Sequence, residues 1–287
     1  MNISTKITER LPVREVLFSP FVSQRGVLST KSPHDGVVCL NRQRRNLAGA
    51  YAKIASSLDS YDDILRKGTG VVLPATKEYT RAAIQSIKSE KVIAVPTDTI
   101  YGFACDACSR EAVKRIYEIK GRKLTSPLAI CVADVPDIMH FAITDHLPQT
   151  LLETLLPGPV TVVLSRGDSS ILEKSLNPGV DSVGVRVPDN DFIRNIARGS
   201  GSALALTSAN LSGHPSSVNI QDFENLWEHC AYVFDGGKLP MGRAGSTIVD
   251  LTYPGKYKII RPGSAREHTV AILEWHSLQE EDGADST

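Results

Sequence analysis

Between Lys91 and Gly263 the sequence alternates short apolar runs with stretches of helical periodicity, and neither an all-helical nor an all-strand fold accommodates that pattern. Lys91–Val95 is a β-branched run stopped by Pro96, which reads as a buried strand. Leu128–Val132, Val160–Leu164, Val183–Val187, Ala203–Leu206, Tyr232–Phe234, Thr247–Leu251 and Tyr257–Ile260 read the same way. Helical spacing falls on Glu78–Glu90, on a Ser109-capped segment through Ile119 that closes at Gly121, and on Val135–Phe141, Leu147–Leu156, Phe192–Arg198 and Ile220–Trp227. Some consecutive strands have no helix between them, as around Tyr253-Pro254-Gly255, so the expected fold is α/β: a twisted, mixed parallel and antiparallel open sheet with flanking helices. Arg66–Pro74 reads as a connection leading into the folded part.

The 287 residues, 41% hydrophobic and 22% charged, are enough to bury a core. No run of about 18 apolar residues suggests a membrane span. A formal net charge of zero conceals an asymmetry. From Met1 to Ser57, nine Lys/Arg face three acids, which is 9 − 3 = +6 and leaves −6 on the remainder. The basic, serine-containing leader, assigned to residues 1–65, is expected either to be disordered or to direct the chain to a mitochondrion or plastid, in a protein otherwise expected in the cytoplasm. The acidic stretch 276–287 reads as a disordered tail. Five cysteines at 39, 105, 108, 131 and 230 make no extracellular framework, and Cys105-Asp-Ala-Cys108 without a second pair reads as two unpaired thiols near a loop.

The chain lacks a GxxxxGK[ST] phosphate loop, a strand-borne GxGxxG, an HExxH and a GxSxG. Its polar residues instead cluster just after the apolar runs. Pro96–Gly102 brings three hydroxyl groups and a carboxylate, either as a ligand site or as a capped turn. Lys120-Gly121-Arg122-Lys123 is either a solvated basic helix end or a phosphate clamp. Thr207–Asn210 and the following Leu211–Ser216 are either a polar loop or a cradle for phosphate or adenine. Arg186, in the apolar run Val183–Val187, requires an internal acid or a ligand carboxylate as partner. Gly245-Ser246-Thr247 and Arg261-Pro262-Gly263 add further hydroxyl and cationic groups. Cations and hydroxyls without a nucleophile–base pair suit anion binding and transfer chemistry by positioning and charge neutralisation.

Nine motifs in order, PTDTIYG, KGR, PLAI, LPGPVT, VGVRVP, TSAN, DGG, GSTIVD and RPG, closely resemble the YrdC-like threonylcarbamoyl-AMP synthase family in its eukaryotic single-domain branch, from about Tyr79 to Leu273. The resemblance implies a basic concave cavity within a catalytic domain placed at 66–275. It implies the reaction of L-threonine, bicarbonate or CO2, and ATP, as its magnesium complex, to L-threonylcarbamoyladenylate and pyrophosphate, the first step of N6-threonylcarbamoyladenosine modification of tRNA. The product would pass to a tRNA threonylcarbamoyl-transferase. The family's catalytic set falls on Lys120, Arg122, Ser208 and Asn210, its threonine contacts on Thr99 and Arg186, and its ATP contacts on Arg122, Ser126, Ser182, Ser208, Ser216, Ser246 and Arg261. No protein metal ligands are expected, and no tightly bound cofactor. Lys123 stands where many bacterial relatives have Pro, and Ser126 and Cys131 stand where archaeal relatives have Asn and His. The alternative is a non-catalytic module binding double-stranded RNA or tRNA through the same cations, against which stand the missing aromatic stacking motifs and the net acidic folded region. A sugar-phosphate synthase on a similar fold would need clustered acids for its metal, which these loops do not carry.

Overall fold

The computed structural model describes residues 70–281, apart from 122, 124, 125, 168–171, 173 and 175. The leader, Arg122 and the last six residues therefore lie outside the described residues.

The described residues form an 11-stranded mixed sheet. In chain order the strands are β1 (Val71–Pro74), β2 (Ile93–Val95), β3 (Gly102–Asp106), β4 (Ala129–Cys131), β5 (Val160–Ser165), β6 (Ser182–Arg186), β7 (Leu204–Ser208), β8 (Tyr232–Asp235), β9 (Thr247–Asp250), β10 (Lys256–Arg261) and β11 (Gln279–Glu280). In space they run β1-β8-β2-β3-β7-β4-β6-β5-β9-β10-β11. The pairs β1/β8, β8/β2, β4/β6, β5/β9 and β10/β11 are parallel, and β2/β3, β3/β7, β7/β4, β6/β5 and β9/β10 are antiparallel. The mixed open sheet anticipated from the alternation is thus observed.

The α-helices are α1 (Thr80–Lys88), α2 (Arg110–Lys120), α3 (Leu151–Leu155), α4 (Asp191–Ser200) and α5 (Arg266–Trp275). Helix α2 begins where Ser109 Oγ accepts the Ala112 N–H at 3.3 Å and stops at the left-handed Gly121. Asn190 caps α4 by accepting from the N–H groups of Phe192 and Ile193. The segments Val135–His140 and Ile220–His229 are 3-10 helices, each opened by a reciprocal cap at Asp134 or Asn219, where the periodicity predicts regular helices. The pattern over Leu147–Leu156 shortens to α3, because Pro148 and the left-handed Thr150 delay its start.

Three expectations are corrected, and one helix has no counterpart among them. The connection read at Arg66–Pro74 contains β1, paired with β8. The Cys105 thiol lies on β3, a central strand missed because Gly, Ala and Cys carry weak strand signals; buried in mid-sheet, these small residues admit close neighbours. Helix α5, unmarked by strong periodicity, follows Gly263. Residues 276–281, read as the start of a tail, include β11 on β10.

One sheet face is roofed in part by α1 and α4, whose Ala82, Ala83, Ile87, Ile193 and Ile196 pack with Ile93, Val95, Ala104, Cys131 and Leu204. Helix α2 joins the larger cluster, with Phe103, Ile130 and Val185. The segment before β6 is held by the buried Asn177, whose φ is 55°. Its side chain accepts the Leu128 N–H at 2.6 Å, donates to the Leu128 carbonyl at 2.9 Å and accepts from Tyr117 at 3.5 Å. Asn177→Ala leaves both backbone groups of Leu128 buried and unpaired, so urea unfolding is expected to show a loss of about 2–4 kcal/mol.

Candidate active site

The Pro96–Tyr101 loop joins the hairpin β2–β3 and folds around one hydroxyl. Thr97 Oγ1 donates to the Ile100 carbonyl at 2.7 Å and accepts from the N–H groups of Thr99 and Ile100 at 3.1 and 3.2 Å. This local bonding is what Thr residues favour in turns. Tyr101 anchors the loop at the far end: its phenol donates to the Gly237 carbonyl at 2.7 Å and accepts the Gly236 N–H at 2.9 Å. Burial pushes this phenol up to about 12, opposed by the Gly236 N–H.

Lys120 closes the second loop. It is 3% exposed, and its Nζ donates to the carbonyls of Ser208 and Asn210 at 2.6 and 2.8 Å, with the Ser208 hydroxyl and Asn210 Oδ1 at 3.4 and 3.3 Å. In return the Lys120 carbonyl accepts the Ser212 N–H. A solvated basic helix end is therefore excluded for this residue. Its charge is satisfied by the Thr207–Asn210 loop, which it shapes. Asn210 continues the work by donating to the carbonyls of Leu211 and His214.

Arg186 finds an internal acid. Its Nη2 donates to Asp98 Oδ1 at 2.6 Å, the two side chains being 7% and 8% exposed, and it also reaches Thr99 Oγ1 at 3.3 Å. The other Asp98 oxygen accepts the Asp189 N–H. Among the described residues, Arg186 Nε is buried without a hydrogen-bond partner. On β10, Arg261 Nη2 donates to the Ser246 carbonyl at 2.9 Å, and the Ser246 hydroxyl meets Thr161 Oγ1 at 2.8 Å.

These groups meet at a cavity of about 150 Å³. Ladder registers put Gly102 beside Ser208, Leu206 beside Ala129, Ala129 beside Gly184, and Ile248 beside Arg261, so the lining follows one face of the sheet. That face is the one partly roofed by α1 and α4. The expected convergence at strand ends is thus refined: in a mixed sheet neighbouring strands end at opposite edges, so the polar groups gather over a face. The enclosed volume is of the size that takes one small molecule, and a nucleotide would extend into the open part. Among the described residues, the lining carries two guanidinium groups and several hydroxyls, with no histidine, cysteine or carboxylate. Such a wall binds anions; it offers no base to activate a serine as a nucleophile.

The Sua5/YciO/YrdC family model, described as telomere recombination, matches residues 85–263. The chain belongs to this family. It is 47% identical over 206 residues to the threonylcarbamoyl-AMP synthase of Bos taurus, covering 70% of this chain and 74% of that protein. It is 44% identical over 218 residues to the Homo sapiens protein of the same name, covering 72% and 77%. Among solved structures, Pyrococcus abyssi Sua5 complexed with L-threonine superposes with a TM-score of 0.63 at 27% identity, over 76% of this chain and 63% of that one.

On this Sua5/YciO/YrdC scaffold, the residues singled out from sequence fall into three groups. Arg186, Ser208, Ser216, Ser246 and Arg261 line the cavity. Lys120, Asn210 and Thr99 stand behind it, each bonded to a lining residue or its loop. Ser126 and Ser182 are outside the lining: Ser126 N–H turns back onto the Lys123 carbonyl, and Ser182 pairs with Ser165. Arg122 lies outside the described residues. Thr97 and Tyr101 belong to the Pro96–Gly102 hydroxyl cluster that the sequence offers as a ligand site without individual roles, and sequence reasoning missed Thr161, although the quoted LPGPVT motif contains it. It also missed Asp98 as the Arg186 partner, a pairing that joins residues 88 positions apart.

Cys131, on β4, is pushed up to about 12 by burial, which outweighs the lowering by Arg186. Cys230 is likewise pushed up to about 12, and Cys105 is raised well above its ordinary value. At pH 8, iodoacetamide should leave these three thiols unmodified in the folded protein and label Cys108 ahead of them, as read by peptide mass spectrometry. Asp98→Ala strands the buried Arg186 charge and should lower stability by about 3–5 kcal/mol in urea unfolding, part of which Arg186→Met in the same chain restores.

Proposed function

We propose that this chain is a threonylcarbamoyl-AMP synthase, converting L-threonine, bicarbonate or CO2, and ATP into L-threonylcarbamoyladenylate and pyrophosphate. The observation that carries the proposal is the cavity wall: the guanidinium groups of Arg186 and Arg261 and a set of buried hydroxyls face one space, without a nucleophile–base pair. The name shared by the mammalian relatives supports the same reaction.

The chemistry proceeds in two steps. The neutral amine of threonine adds to CO2 and loses a proton, giving a carbamate. A carbamate oxygen then attacks the α-phosphorus of ATP, the bond to the bridging oxygen breaks, and pyrophosphate leaves. The obstacle is electrostatic, because an anion approaches a polyanion. Arg186, which lines the cavity, would hold the amino acid carboxylate, while Asp98 and Thr99 fix the guanidinium plane. Arg261 and Ser246 would face phosphoryl oxygens. Arg122 is assigned to the same charge neutralisation by the family resemblance alone. Lys120 would act on the wall: its contacts hold Ser208 and Asn210 in place. Among the described residues no group of three or more His, Cys, Asp or Glu could cage a metal. Magnesium would enter as part of the nucleotide substrate, and no step is assigned to it. The labile product would be consumed by a transferase that attaches the threonylcarbamoyl group to an adenosine of tRNA.

The test is pyrophosphate release, measured with each of threonine and bicarbonate present or withheld. Release should require both, and turnover without threonine would refute the reading. Arg122→Ala should lose about 10²–10³-fold in kcat/KM, the usual effect of removing one charge-stabilising donor; Arg186→Ala should lose at least as much and, because it leaves Asp98 buried without its partner, should also unfold at lower urea.

A further inference from the structure

Thr161 and Ser246 form a closed pair of buried hydroxyls on the cavity wall. They are 3% and 4% exposed, both line the cavity, and their oxygens lie 2.8 Å apart. Each hydroxyl finds its hydrogen-bond partner in the other. Two hydroxyls carry two hydrogens, and their mutual bond uses one. Among the described residues the second O–H has no acceptor, so water or a ligand oxygen in the cavity must take it.

The orientation of the pair is built in from both sides. A Cβ added at Gly184 would lie 3.0 Å from Thr161 Cγ2, so glycine at this place in β6 leaves room for the Thr161 methyl and turns its hydroxyl toward Ser246. On the other side, Arg261 Nη2 holds the Ser246 carbonyl at 2.9 Å. Continuing the β5/β6 register by one residue from Val162↔Val185 brings Thr161 opposite Arg186. The unused O–H is therefore presented to the cavity near two guanidinium groups.

We propose that Thr161 is a positioning residue of the ligand site: its hydroxyl sets the hydrogen that Ser246, already assigned as a ligand contact, presents to the cavity. The ligand is a charged oxygen, either of the amino acid carboxylate or of a nucleotide phosphate. The proposal rests on the synthase reading for the identity of these two ligands.

Calorimetric titration of the full chain with L-threonine and, separately, with MgATP tests it. Thr161→Val keeps the volume and removes the hydroxyl. It should weaken one of the two ligands about tenfold or more while the other stays within about twofold; weakened threonine identifies the carboxylate, weakened MgATP the phosphate. Thr161→Ser, which returns the hydroxyl, should recover most of the loss. In the Ser246→Ala background, Thr161→Val should add little, because the pair is already broken. Unchanged affinities for both ligands overturn the proposal, as do fully multiplicative effects in the double variant. Should Thr161→Val not fold, Ser246→Ala reads the pair from the other side, and unchanged affinities there are equally fatal. Binding is measured without turnover, so the outcomes separate. A wild-type chain that binds both ligands without threonine-dependent pyrophosphate release refutes the synthase reading alone, and one that binds neither removes the subsite as well.

Discussion

A buried ammonium group organises the site. Lys120 ends α2 and is almost fully enclosed, so its charge must be met by oxygens. The chain supplies them from the backbone carbonyls of Ser208, which ends β7, and Asn210 just after it, and the loop beyond returns an N–H to the Lys120 carbonyl. A helix from one part of the sequence and a loop about ninety residues later are thereby locked together. Ser208 on the cavity wall and Asn210 behind it take their positions from this contact. The wall of an anion site needs such rigidity, because donors that must reorganise during reaction give up part of their electrostatic advantage.

The second constraint is the Asp98–Arg186 pair, which gives the cavity a guanidinium of fixed orientation. A free arginine in an apolar strand would be strongly disfavoured. Pairing one Nη with a carboxylate resolves the charge and leaves Nε buried without a partner among the described residues. The thiols beside these groups take no part in such chemistry: burial keeps Cys131 protonated despite the nearby cation. Binding and positioning are what the wall can do, and acyl-enzyme or thiolate chemistry is foreign to it.

Much of this architecture was readable beforehand, for identifiable reasons. β5 and β7 are β-branched or leucine-rich runs bounded by turn residues, and α2 carries both of its stop signals, Ser109 and Gly121. β3 escaped detection because Gly102, Ala104 and Cys105 lack the bulk that marks a strand, and that small size suits their place in the middle of the sheet. β11 is a two-residue edge strand whose only signal is its partner. Of the site, Arg186, Ser208, Ser246 and Arg261 stood out as polar residues at the ends of apolar runs, and the order of the motifs resembled one family. Thr161 did not stand out, since a threonine within an apolar run reads as an ordinary strand residue.

By itself the sequence determined the element types, the mixed sheet, the helix caps and the chemical character of the loops, because each depends on residues within a few positions of one another. Tertiary structure alone decided which polar groups share a space and which are occupied with one another. Asp98 with Arg186, Lys120 with Asn210, Thr161 with Ser246 and Asn177 with Leu128 are each separated by tens of residues. Their pairing follows from strand order and register, and a charge or hydroxyl in a linear sequence carries no record of the partner that burial will require it to find.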